Sequence, residues 1–150
     1  MIRFLADGSL LLILATGGIV LLYDGFKHGL IRQYPYLIMA GLTSLLIGKL
    51  LSVAYQPDIE RPFIVQGVAP GAAFINNPGF PSDHALLGTV VVLGVYALTK
   101  RKTLSLVLAA GVVVMVVARV IALVHTPLDV VGGIIAGLSG GLWYVGRRKQ

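Results

Sequence analysis

Five apolar segments divide the chain, at about 8–26, 36–56, 84–99, 103–124 and 129–146. Each is long enough, or nearly so, to cross the hydrocarbon core of a bilayer, which takes about 20 residues of helix. The third is the shortest, and its start falls in the polar stretch before it. This pattern predicts an all-α, polytopic membrane bundle of about five transmembrane helices. Composition agrees, since 57% of the 150 residues are hydrophobic and only 12% charged, unlike a soluble domain of this size. One membrane domain over residues 1–150 is the expected organisation. The first segment lacks a strongly basic start and a small-x-small cleavage site, so it reads as a retained helix and not a signal peptide.

The net charge of +6 suggests nucleic acid until its placement is considered. Lys27 and Arg32, Lys100 to Lys102, and Arg147 to Lys149 lie between or after helices on one side of a five-helix arrangement. By the positive-inside rule that side is cytoplasmic, with the N-terminus outside and the C-terminus inside a cell membrane. The basic clusters are therefore topology signals facing membrane lipid, and they argue against a nucleic-acid partner. The absence of cysteine excludes disulfides and thiol nucleophiles. Gly133, Gly137 and Gly141 form a small-residue stripe on the fifth segment. It predicts close packing within the bundle, with a homo-oligomer contact as the alternative.

Residues 57–83 form the one long polar connection and hold five of the seven prolines. Such loops are often functional, and this one is expected to cover the outer face, with Phe63, Phe74 and Phe80 dipping into lipid. Glu60-Arg61-Pro62 keeps Arg61 out of helical geometry. Phe80-Pro81-Ser82-Asp83-His84 leads into the third segment, with Ser82 as N-cap and Asp83 at the positive end of the helix. The free amides of that turn suit a phosphate. A plain helix start explains Pro81, Ser82 and Asp83, but not His84.

Residues 119–129 are the most unusual stretch. Arg119, His125 and Asp129 are the only Arg, Lys, His, Asp or Glu between Lys102 and Arg147. Charge at membrane depth costs at least about 2.5 kcal/mol per residue on insertion scales. A continuous helix would set Arg119 and His125 about 240° apart. Pro127 instead predicts a break, with one helix ending near Leu123 and the next starting on Thr126 as N-cap and Pro127 at its first position. Asp129 then stands where it can close a capping box, bond His125, or do both.

Arg61-Pro62, Pro81-Ser82-Asp83-His84 and Arg119-x5-His125-x3-Asp129 resemble the three motifs of the type 2 phosphatidic acid phosphatase superfamily, KxxxxxxRP, PSGH and SRxxxxxHxxxD. The likeness spans residues 49–129, and its Phe-Pro-Ser-Asp-His-Ala form looks like bacitracin-resistance-type undecaprenyl pyrophosphate phosphatases. The first-motif lysine falls on Ala54, and Lys49 is the nearest substitute, twelve residues before Arg61. Ala118 stands for the usual serine and Asp83 for the usual glycine. Five helices replace the common six, as loss of an N-terminal helix would leave them.

The resemblance implies a haloperoxidase-like helical core. It also implies a lipid phosphatase in which His125 is the nucleophile, Asp129 holds its ring and His84 is the acid and base. Arg61, Arg119, Ser82 and Asp83, with Lys49 as an addition, would bind the substrate phosphate. It implies no cofactor, and fixed cations would take the place of a metal. The implied substrate is a lipid phosphate or pyrophosphate, first undecaprenyl pyrophosphate, then phosphatidate or phosphatidylglycerol phosphate. A lipid phosphotransferase would use the same residues. From a different class, a small transporter or lipid-binding membrane protein would also bury charge.

Overall fold

The computed structural model describes residues 1–56, 60–77 and 79–145, and among them every regular element is helical. A π-helical turn, Phe4–Gly8, runs into α1 (Ser9–His28). After a 3-10 turn come α2 (Tyr34–Ala54), the short α3 (Pro62–Val65) and α4 (Asp83–Thr99). These are followed by α5 (Lys102–Ile121), α6 (Pro127–Ser139) and α7 (Leu142–Val145). Four stretches are long and apolar enough to cross a membrane: Phe4–His28, Leu30–Ala54, Lys102–Ile121 and Pro127–Val145. The fifth expected segment is α4, whose 17 residues make it shorter than these. Arg147 to Lys149, expected to mark one membrane side, lie outside the described residues.

Local chemistry sets the boundaries. Gly29, at φ +68°, ends α1 in the left-handed conformation that favours glycine. Pro35 sits in the first turn of α2, where its missing N–H costs nothing. The outward faces stay apolar: Leu11, Leu46, Val53, Leu106, Val113 and Ile135 are each more than half exposed. Water penalises such a surface, whereas lipid does not, and the helices satisfy their own backbone groups.

The enclosed element is α4, which packs against α1, α2, α5 and α6. Its closest approach is to α6. A Cβ on Gly133 would run into the Ser82 carbonyl oxygen, and one on Gly137 would lie 2.6 Å from the Thr89 Cβ. The small-residue stripe is thus taken up at both positions inside the bundle.

The connection before α4 folds inward. Phe63 and Phe80 are buried, contrary to the expectation that they dip into lipid. Phe63 packs in a cluster with Ala118, Ala122 and Val124, and its ring lies 4.8 Å from that of Phe74. Phe80 meets Tyr55 edge-on at 5.4 Å and covers Gly132. Only Phe74 keeps substantial exposure. Backbone bonds fasten the loop to the α5–α6 turn: Phe63 N–H donates to Leu123 O, and Gly71 N–H to Ala122 O, each at 3.1 Å.

Candidate active site

The break that Pro127 predicts is present. Helix α5 stops at Ile121, Leu123 takes a left-handed conformation at φ 60°, and α6 starts on Thr126. The capping box is closed at both ends, because Thr126 Oγ1 accepts from Asp129 N–H at 3.2 Å and Asp129 Oδ2 accepts from Thr126 N–H at 2.7 Å. That same oxygen lies 3.4 Å from His125 Nδ1. Both alternatives for Asp129 therefore hold at once. With its proton on Nδ1 and directed at Asp129, the His125 ring carries its lone pair on Nε2.

The start of α4 is tied to the same turn. Ser82 N–H donates to Asp129 O at 2.8 Å. Ser82 occupies the N-cap position, but its hydroxyl makes no capping bond. Its Oγ is instead fully buried with no partner. Asp83 is exposed and His84 half-buried.

Arg61 comes from the loop and is held by carbonyl groups. Its Nη1 donates to Val124 O at 2.5 Å, and its Nη2 to Ile75 O at 3.0 Å and Asn77 Oδ1 at 2.6 Å. It thereby clamps the loop to the α5–α6 turn while lying 5.4 Å over the Phe74 ring. Gly79, at φ +92°, passes close to this guanidinium, and a Cβ there would sit 3.4 Å from its central carbon. Burial lowers the Arg61 pKa, and the charges of Asp129 and Asp83 oppose that shift.

Arg119, on the last turn of α5, is 2% exposed. Its Nη1 donates to Asp7 Oδ1 at 2.8 Å and reaches His84 Nε2 at 3.1 Å, and its Nη2 donates to Ala73 O at 2.9 Å. A guanidinium can only donate, so His84 accepts at Nε2 and is neutral in this arrangement. Arg119 Nε is buried and has no partner.

Arg61, Asp83, His84, Arg119 and His125 line one cavity of about 530 Å³. Asp129 and Ser82 stand directly behind them, each bonded or bound in sequence to a lining residue. Leu10, Leu45 and Leu87, from α1, α2 and α4, form an apolar wall of the same cavity. Burial lowers the His125 pKa, aided by the charges of Arg119 and Arg61, and these together outweigh the opposing bond and charge of Asp129. His125 is therefore a neutral imidazole at neutral pH.

Lys49 is the expected residue that the fold does not bring here. It is exposed on α2 and does not line the cavity. Two residues outside the motifs do take part, Asp7 and Asn77. Asp7 had a legible signal, being an acid beside an apolar segment. Asn77 had none, since an asparagine in a polar loop is ordinary.

Comparison with known families returns the PAP2 superfamily, whose model matches residues 8–149 and so runs through all the long helices. Comparison with curated proteins and with solved structures returns no match.

Proposed function

The chain belongs to the PAP2 superfamily and is a multi-pass membrane protein of phosphatase type; from that premise we propose that it hydrolyses a lipid phosphate or pyrophosphate at the outer membrane face. Undecaprenyl pyrophosphate is the first candidate among such lipids. The observation that carries this reading is the cavity itself. Its lining combines two arginines and two histidines with leucines from membrane helices. A phosphate on an aliphatic tail matches both kinds of lining. The basic clusters at Lys27 to Arg32 and Lys100 to Lys102 lie at the opposite end of the helices, which under the positive-inside rule supports an outward-facing cavity and a cytoplasmic C-terminus.

In the proposed reaction His125 Nε2 attacks phosphorus, and the bond to the leaving lipid oxygen breaks. His84, neutral while it accepts from Arg119, takes up a proton as the phosphate's negative charge enters the cavity and supplies that proton to the leaving oxygen. Its conjugate base then takes a proton from water, which attacks the phosphohistidine and releases phosphate while His125 is restored. Asp129 holds the Nδ1 proton and steadies the charge that develops on the ring. Arg119 Nε, the Ser82 hydroxyl and the first amides of α4 are assigned to the phosphoryl oxygens, and Arg61, whose donors hold the loop, adds its positive charge. Asp83 contributes its amide rather than its carboxylate, which would repel phosphate. Lys49, exposed one turn beyond Leu45 on α2, is not among the lining residues.

The two partnerless donors support the assignment. A buried donor left unsatisfied costs about 1–3 kcal/mol, and both Ser82 Oγ and Arg119 Nε are in that position. A phosphoryl oxygen would satisfy each. Positioning and electrostatics supply most of the catalysis of phosphoryl transfer, and the fixed cations serve here. Among the described residues no group of three or more His, Asp or Glu side chains is arranged to hold a metal ion.

The test is phosphate release by the purified protein, in excess chelator, from a panel of isoprenyl pyrophosphates and phosphorylated glycerolipids. Inorganic phosphate as product marks a hydrolase, and a newly phosphorylated lipid marks a transferase. His125→Ala should abolish turnover, by at least about 10⁴-fold. Undiminished phosphate release by that variant removes the nucleophile, and a strict Mg²⁺ requirement contradicts the fixed-cation scheme.

A further inference from the structure

Arg119 is held by an acid that none of the three motifs contains. Asp7 sits on the π-helical turn before α1, and its two oxygens are spent on different elements. Oδ1 accepts from Arg119 Nη1 at 2.8 Å, and Oδ2 accepts from Ala73 N–H in the outer loop at 2.9 Å. Arg119 Nη2 donates to the carbonyl of that same Ala73 at 2.9 Å. Asp7, Arg119 and Ala73 thus close a ring of three hydrogen bonds joining the π-helical turn, α5 and the loop.

This ring decides which way the guanidinium faces. The planar fork has five N–H donors in fixed directions. Nη1 is committed to Asp7 and His84, and one donor of Nη2 to Ala73. What is left is the second donor of Nη2 and Nε, and of the two nitrogens only Nε is without any partner, although it is buried. A carboxylate that served only to tether the chain's first turn would not need both of these partners. The π turn itself, a rare geometry frequent at functional sites, sets Asp7 at this register.

We propose that Asp7 is a positioning residue, fixing Arg119 and the Ala73 segment in the orientation that leaves Nε free for a phosphoryl oxygen. The proposal rests on the phosphatase reading above. Two other roles for the same contact predict different behaviour. A carboxylate occupying the phosphate's own place would compete with substrate. A plain tether would affect stability alone.

The experiment compares wild type, Asp7→Ala, Asp7→Asn, Asp7→Glu and His125→Ala in detergent–lipid micelles, with steady-state phosphate release, inhibition by orthovanadate and thermal melts. Positioning predicts that Asp7→Ala loses about 10- to 100-fold in kcat with KM changed less than about threefold. Vanadate inhibition should weaken by a similar factor. Asp7→Glu, which keeps the charge, should recover part of the loss, and the near-isosteric Asp7→Asn should show the defect even if Asp7→Ala folds poorly. A kcat within twofold of wild type in both Asp7→Ala and Asp7→Asn overturns the proposal in favour of a tether. Faster turnover with tighter vanadate binding overturns it in favour of a competitor. Wild type and His125→Ala keep the two levels apart: no phosphate release by wild type removes the phosphatase reading, undiminished release by His125→Ala removes the assigned nucleophile, and loss in His125→Ala beside an unaffected Asp7→Ala removes only the role of Asp7.

Discussion

At the end of the bundle away from the cavity, Arg101 gives Nε and Nη2 to the two oxygens of Asp24, at 2.9 and 2.7 Å. At the cavity end, Arg119 gives only Nη1 to Asp7 and keeps Nε unused. The two pairs share a plan, an acid on the first helical stretch meeting an arginine at one end of α5. The first is bidentate and complete, so the guanidinium edge and the carboxylate satisfy each other. Its acid is buried while its arginine stays half-exposed. In the second the exposures are reversed, since Arg119 is buried and Asp7 partly open. A buried cation with a free donor, next to two histidines, is organised around something absent from the chain's own contacts. The contrast separates a fastening from a site using the same two residue types.

The largest effect that sharpens this contrast is expected from Arg119→Lys. The charge survives, but a single ammonium cannot hold Asp7 and Ala73 and still offer a directed donor to phosphate. Loss of about 10²–10³ in kcat/KM is the expected outcome, read in the phosphate-release assay. Retention within about tenfold would mean that charge alone suffices there. A smaller and different effect is expected from Arg101→Ala. It leaves the Asp24 carboxylate buried without its cation, so the melting temperature should fall while kcat per folded molecule stays near wild type. Loss of turnover with an unchanged melt would break the distinction between the two ends.

The smallest effect concerns pH. Burial holds His125 below its ordinary pKa, so the proposed nucleophile stays neutral further down as the pH falls into the usual imidazole range. The acid limb of kcat/KM should accordingly lie below about pH 6.5, and protonation of His125 should remove activity only beneath it. Because the Asp129 bond raises the His125 pKa, Asp129→Asn should move this limb further down, in addition to slowing turnover. A limb displaced upward in the variant contradicts the assigned contact.

Much of the cavity end was legible because its signals are local. Pro127 fixes the break between α5 and α6, and Thr126 and Asp129 are spaced for the capping box that forms. The order Arg61, His84, Arg119, His125 follows from motif spacing, and all four residues line the cavity. Long-range partners were not legible. Asp7 lies 112 positions from Arg119, and Asp24 lies 77 from Arg101, which as part of a basic triplet already had a sufficient explanation in topology. The cost of charge in apolar sequence, which singles out Arg119, applies equally to both acids and would have marked them. The burial of Phe63 and Phe80 escaped for another reason. Whether an aromatic loop residue turns toward lipid or protein depends on the pocket offered by α5 and α6, which no local pattern encodes. Lys49 stays exposed on α2 and outside the cavity lining; the segment 55–60, whose fold-back would be needed for it to substitute, lies partly outside the described residues.

The most direct test of the central claim is to trap the phosphoenzyme. His84→Ala should slow hydrolysis of the intermediate, and because phosphohistidine is acid-labile the reaction is stopped by a rapid alkaline quench. Incubated with isoprenyl pyrophosphate labelled with ³²P on its terminal phosphate, that variant should retain label on one peptide, at His125, and the label should vanish in the His84→Ala/His125→Ala double variant. Label on another residue, or single-turnover phosphate release by His84→Ala with no labelled protein at any time, would contradict the account.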